Sequence, residues 1–243
     1  MRDIEFVRTP NFARQQRFGY KRVSGAGSIF RSPSTLENGQ KSAERTVLSV
    51  RRGPIRYRRN STIACEGDPA DYVFMVVDGV VRRCKTFQNG TRAIVAFHTS
   101  GELFGWTDEL THALSIEAAT DALILYFKRN VLMSAASRDH KVANFLLRAA
   151  TSELRCIQLH SLRINQSAKC RVAGFLLDLS ARTGETADVD LLMSHQDVAD
   201  HLGLSIETVS RTITELERAC LIERASARTI NLTNRTALAR LLS

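Results

Sequence analysis

Glu207, Ser210 and Arg211 stand at i, i+3 and i+4 in the stretch LSIETVSRTITELE, Leu204 to Glu217. On a helix this spacing puts all three on one face, and Val209, Ile213 and Leu216 form an apolar stripe on the other. An acceptor, a hydroxyl and a guanidinium aligned at a helix start are a set that can read base edges. A guanidinium donates in pairs to guanine O6 and N7, a carboxylate accepts from cytosine N4, and a hydroxyl serves a base or meets a thymine methyl. A carboxylate repels phosphates, so Glu207 suits base reading better than backbone neutralisation. The plainer alternative is a solvated Glu207–Arg211 pair, worth a few tenths of a kcal/mol.

The neighbouring elements give these residues a frame. SHQDVADHLG reads as a helix opened by Ser194 with Asp197 three residues on, an N-cap pattern, and ended by Gly203. Ser205 then caps the helix that carries the aligned face. Ala199, Gly203 and Val209 match the small-residue, turn and core positions of a helix-turn-helix. LIERASARTINL alternates as two short strands around Ala225–Ser226–Ala227, a small wing, and CRVAGFLLDLSART supplies an amphipathic helix upstream. Residues 166–243 are thus expected to form a winged helix-turn-helix. Base reading falls to Glu207, Ser210 and Arg211, and DNA-backbone contact to Ser194, His195, Gln196, Ser205, Thr208 and Arg228.

Upstream, roughly 129–165 reads as one long helix with two apolar stripes: Val142, Leu146, Ala149 and Cys156, and Leu147, Ala150, Leu154 and Ile157. Two stripes imply burial on both sides, one against the preceding domain and one against a partner. Steps of seven fit a coiled-coil seam, although Glu153 and His160 also fall in it. The eight apolar residues are taken as the candidate dimer interface.

Residues 46–128 have a different texture. Gly67, Gly79, Gly90 and Gly101 are spaced 12, 11 and 11 residues apart, with the β-prone runs YVFMVV, VVRRCKTF and RAIVAFH between them. Regular turns at this spacing predict an all-β barrel or sandwich, and the DG and NG dipeptides are strong turn formers. Residues 1–45 mix Arg, Lys, Ser, Gly, Gln and Asn without periodicity and read as a disordered basic arm.

The 243-residue chain carries a net charge of +9 and a pI of about 9.8, which favours a polyanionic partner, either nucleic acid or an anionic membrane. No run of about 18 apolar residues offers a membrane span, and the Arg-rich start is no secretory signal. Cys65, Cys84, Cys156, Cys170 and Cys220 are odd in number, dispersed and free of CxxC spacing. This argues against a disulfide framework or zinc site and for a cytoplasmic protein whose cysteines, Cys220 beside Leu216 included, fill core positions.

The order barrel, long helix, winged helix resembles the CRP/FNR superfamily of bacterial transcription regulators. The matching residues are EGDPADYVFMVVDGVVRRCK (Glu66 to Lys85), GELFG (Gly101 to Gly105), RVAGFLLDLS (Arg171 to Ser180) and DVADHLGLSIETVSR (Asp197 to Arg211). The ETVSR string is similar to the FNR and FixK branch, whose base-reading Glu, Ser and Arg would be Glu207, Ser210 and Arg211. The resemblance implies an α+β fold: an N-terminal cyclic-nucleotide-binding-like β-barrel (jelly roll), a long dimerisation helix and a C-terminal winged helix-turn-helix. It implies a homodimeric regulator, not an enzyme, binding double-stranded DNA at an FNR-type palindrome, TTGAT-N4-ATCAA, and touching RNA polymerase. The targets it implies are low-oxygen respiration or nitrogen-fixation genes.

Three departures narrow the chemistry. The first 64 residues contain no cysteine, so an FNR-type iron–sulfur cluster lacks its ligands. FGWTDELTHALSIEAATDA contains no arginine to hold a cyclic phosphate, which leaves Gly101–Glu102 as turn structure. Ser194 stands where some FixK-like proteins carry a redox cysteine. No cofactor or metal is expected. A metal-dependent cupin-like enzyme would need a His/Glu cluster in the barrel, where His98 is the one strand histidine. A ligand-binding module that has lost DNA binding is opposed by the intact aligned face. A CRP-like regulator gated by an unidentified small molecule stays open as the alternative.

Overall fold

Strand β3, Tyr72–Asp78, is the continuous apolar run YVFMVVD. Its residues alternate between two cores, because a strand's side chains point to opposite faces. Phe74 and Val76 pack between two sheets with Phe104, Ile116, Ile124 and Tyr126. Val73 and Met75 face outward onto helices with Leu125, Phe127 and Leu132.

A computed structural model describes residues 51–184, 187–226 and 228–242. The basic arm read over 1–45 lies outside them. The β domain comprises β1 Arg51–Tyr57, β2 Thr62–Ala64, β3, β4 Val81–Thr86, β5 Arg92–His98, β6 Leu103–Phe104, β7 Ser115–Ala118 and β8 Ala122–Lys128. They form two antiparallel four-stranded sheets in the orders β1-β8-β3-β6 and β2-β7-β4-β5, a double-sheet arrangement of the jelly-roll kind. The four regularly spaced glycines all sit at positive φ. Gly79 is obligatory: a Cβ there would lie 2.2 Å from the Asp121 carbonyl oxygen. Strand β1 contains Gly53 and Pro54, which the sequence reading passed over; it tolerates them because it is an edge strand with a register shift at that point.

The helical stretch expected to be continuous is two helices, α1 Arg129–Arg138 and α2 His140–Arg163. Asp139 is extended, and its carboxylate accepts from the Lys141 N–H, so it caps α2 and breaks the run. Val142 and Leu146 of α2 are buried in this chain's own core against β3 and β8. That corrects their placement in a partner interface: their side chains are already covered.

The C-terminal unit contains α3 Ala168–Thr183, β9 Asp188–Asp190, α4 His195–Leu202, α5 Ile206–Arg218, β10 Glu223–Arg224, β11 Thr229–Asn231 and α6 Arg235–Arg240. Its core of Val172, Leu176, Leu179, Val198, Val209 and Leu216 runs on to Val80, Cys84, Ile94 and Phe97 of the β domain. The expected hairpin is a three-stranded sheet, β10-β11-β9, because Asp188–Asp190 pairs with β11. Cys220 is exposed at φ +55, not core: the helix has ended, and the left-handed turn swings it off the Leu216 face.

Candidate nucleic-acid interface

Helices α4 and α5 are set by local chemistry. The Ser194 hydroxyl accepts from the Asp197 N–H at 3.1 Å, and Ser205 accepts from the Thr208 N–H at 3.2 Å. Between the helices Gly203 takes φ +62, the left-handed cap that lets the chain turn sharply into α5. Helix α5 buries Val209, Thr212, Ile213 and Leu216. That stripe is the expected one plus Thr212.

The opposite face is open. Glu207, Ser210 and Arg211 are all exposed, as are His195 and Gln196 at the start of α4, Ser205, and Arg228 beside the wing. Thr208 and Ser194 are partly covered, the latter with its hydroxyl engaged as a cap. The helix pair therefore presents all three proposed base readers together, flanked by the proposed backbone contacts. No group of His, Cys, Asp and Glu suited to a metal occurs among the described residues. His98 is buried, and burial, followed by Arg83 and Arg182, holds its imidazole well below the ordinary histidine range. Gly101 and Glu102 form a turn whose Glu102 carboxylate accepts from the Thr99 N–H at 2.8 Å.

The polar residues in the long seam turn toward this chain instead. Glu153 pairs with Arg83 of β4, and His160 stacks on His201 of α4 with ring centroids 4.2 Å apart. Ala149 packs on the barrel-side core, while Cys156 and Ile157 are half-buried. Leu147 and Leu154 are 62% and 55% exposed, with half-buried Ala150 between them. That row is the part of the second stripe left open.

One set of residues escaped the sequence reading. The spacing from Ser194 marks Asp197 only as part of a capping pattern, yet its carboxylate accepts from Arg82 of β4 at 2.9 Å and from Arg92 of β5 at 2.8 Å. Arg182 of α3 forks onto both Glu102 oxygens, at 2.8 and 2.6 Å. These partners lie 80 to 115 residues apart, beyond any local periodicity.

A jelly-roll domain packed, beside a long helix, against a winged helix-turn-helix is the architecture of a two-domain DNA-binding regulator. Residues 54–139 match the cyclic nucleotide-binding domain and residues 170–241 the Crp-like helix-turn-helix domain. The nitrogen fixation regulation protein FixK of Azorhizobium caulinodans is 42% identical over 201 residues, 80% of this chain and 81% of that protein. FixK of Rhizobium meliloti is 38% identical, covering 75% of this chain and 83% of that protein. The solved structure of FixK2 from Bradyrhizobium japonicum superposes with a TM-score of 0.73 at 38% identity, over 78% of this chain and 96% of that one. The chain belongs to the CRP/FNR family of transcription regulators and is FixK-like, with a DNA-binding helix-turn-helix.

Proposed function

We propose that the protein acts in the cytoplasm as a homodimer that reads the palindrome TTGAT-N4-ATCAA and activates genes of low-oxygen respiration or nitrogen fixation by touching RNA polymerase. The observation that carries the reading is the exposed row Glu207, Ser210 and Arg211 on a helix whose other face is buried. Arg211 takes a guanine edge, Glu207 a cytosine amine, and Ser210 a base or a thymine methyl. His195, Gln196, Thr208 and Arg228, with Ser194 and Ser205, hold the flanking phosphates. Exposed Leu147 and Leu154, with half-buried Ala150 between them, pair with their symmetry mates. A two-fold dimer then sets the two recognition helices about one turn of DNA apart, ~34 Å. The relatives' names as nitrogen fixation regulators support the target class.

An electrophoretic shift with the palindrome, run in air without cyclic nucleotide, tests this. A retarded dimer complex is expected, and a strict need for cAMP or for a reconstituted iron–sulfur cluster would contradict it. A second reading, gating by a small molecule, is favoured by one observation. A cavity of about 310 Å³ lies among β5, α2, α3 and α4, within the size range of ligand pockets.

A further inference from the structure

Asp200 of α4 uses its two carboxylate oxygens on two different partners. Oδ2 accepts from Arg92 Nε of the barrel strand β5 at 2.8 Å, and Oδ1 accepts from Gln196 Nε2 one turn earlier on α4 at 2.7 Å. The same Arg92 donates through Nη2 to Asp197, at the first turn of α4, where Arg82 of β4 also donates. Arg82 is itself held by Glu117 at 2.9 Å and by Asn60 at 3.2 Å. Asp197 is 2% exposed and its Oδ2 has no partner among the described residues, so its charge depends on the two guanidiniums. The first turn of α4 is thereby tied to the β2-β7-β4-β5 sheet of the barrel by charge-assisted hydrogen bonds. Gln196, exposed and aimed along that turn, is at the end of the chain of contacts.

We infer that Arg92 of the sensor barrel is a positioning residue for DNA binding: through Asp200 and Asp197 it sets the first turn of α4 and the Gln196 amide against the DNA backbone. The inference rests on the DNA reading proposed above. Arg92 never touches DNA in this arrangement. It fixes, before encounter, a group that otherwise has to be ordered on binding, and pre-ordering contributes affinity. The network is contiguous: each step in it is a hydrogen bond of 2.7 or 2.8 Å and not spatial proximity alone. It also gives the barrel a direct hold on the DNA head that bypasses the long helix.

The test uses full-length protein and two readouts. In the free protein, hydrogen exchange of peptides covering 194–202 should rise in Arg92→Ala while peptides from β3 and β8 stay protected. On the palindromic duplex at fixed salt, Arg92→Ala and Gln196→Ala should each weaken binding, Arg92→Ala on the order of tenfold. The double variant should be little weaker than the worse single one, because both cut the same relay. Arg92→Lys, which keeps the charge but cannot bridge both carboxylates, should fall between wild type and Arg92→Ala. Additive losses, unchanged exchange, or tighter binding by Arg92→Ala would overturn the inference. If wild-type protein leaves the duplex unbound while exchange still rises in Arg92→Ala, the DNA reading is overturned and the positioning role with it, although the anchor stands. The exchange readout, which needs no DNA, tells the two failures apart.

Discussion

Glu207 and Arg211 stand one turn apart on the exposed face of α5, yet they form no ion pair with each other among the described residues. Its own backbone N–H and the Ser205 hydroxyl hold the Glu207 carboxyl below the usual carboxylate range. The i, i+4 ion pair is thus not formed in the structure, and the Arg211 guanidinium has no hydrogen bond or ion pair among the described residues. Glu207→Ala should relax base preference at one position per half-site and raise affinity for random DNA, since a negative charge leaves the DNA face. Binding to a panel of singly substituted palindromes measures both effects. Unchanged preference at every position would assign Glu207 to capping alone.

Adjacent residues on α2 should behave in opposite ways. Leu146 is 7% exposed in the barrel-side core, and Leu147 is 62% exposed. Leu146→Ala should cost about 2–5 kcal/mol of stability by opening a cavity. Leu147→Glu with Leu154→Glu should leave the protomer folded and convert dimers to monomers, because charge enters the seam without entering the core. Circular dichroism with analytical ultracentrifugation separates the two outcomes. A persistent dimer in the double variant would place the interface elsewhere.

Acid should loosen the docking of the DNA head. His201 donates from Nδ1 to the Ile94 carbonyl at 2.9 Å, and its imidazole is pushed down to about 3. Burial is the main cause, with stacked His160 and then Arg182 adding to it, while the bond to Ile94 acts the other way. In the unfolded chain the same ring titrates near 6.5. The unfolded state therefore binds a proton between those values that the folded state excludes. This contribution is fully present above about pH 6.5 and is lost as pH falls toward 3, about 1.4 kcal/mol by pH 5.5. Thermal unfolding at pH 7.5 and 5.5 should show a drop that is smaller in His201→Phe. An equal drop in the variant would assign the acid sensitivity to other groups.

Much of this architecture was legible because local rules governed it. The glycine spacing marked four positive-φ turns, and Ser194, Gly203 and Ser205 marked the helix boundaries that hold Glu207, Ser210 and Arg211 on one face. What escaped was either a single capping residue inside a helical pattern or a contact over long sequence distance. Asp139 splits a run whose periodicity continues across the break. Val142 and Leu146 belong to a stripe whose partner, barrel or second copy, periodicity cannot name. Asp188–Asp190 is too short and polar to announce a strand and forms one only because β11 lies alongside. Arg82 and Arg92 look like surface charges until α4 brings Asp197 and Asp200 to them.

Wing and recognition helix should differ in kind. Arg228 is exposed beside the wing. Neutralising it by Arg228→Gln should weaken matched and random duplexes alike and lower the salt slope by about one unit. Titrations at three or more salt concentrations read this, and loss confined to the matched site would make Arg228 a base reader.

The most direct test of sequence reading by α5 is the affinity of wild type and Arg211→Ala for matched and random duplexes across a salt series. Loss of a bidentate guanine contact should cost about 1–3 kcal/mol on the palindrome and clearly less on random DNA. Equal losses on both duplexes would make Arg211 a phosphate contact and contradict base reading by the aligned face of α5.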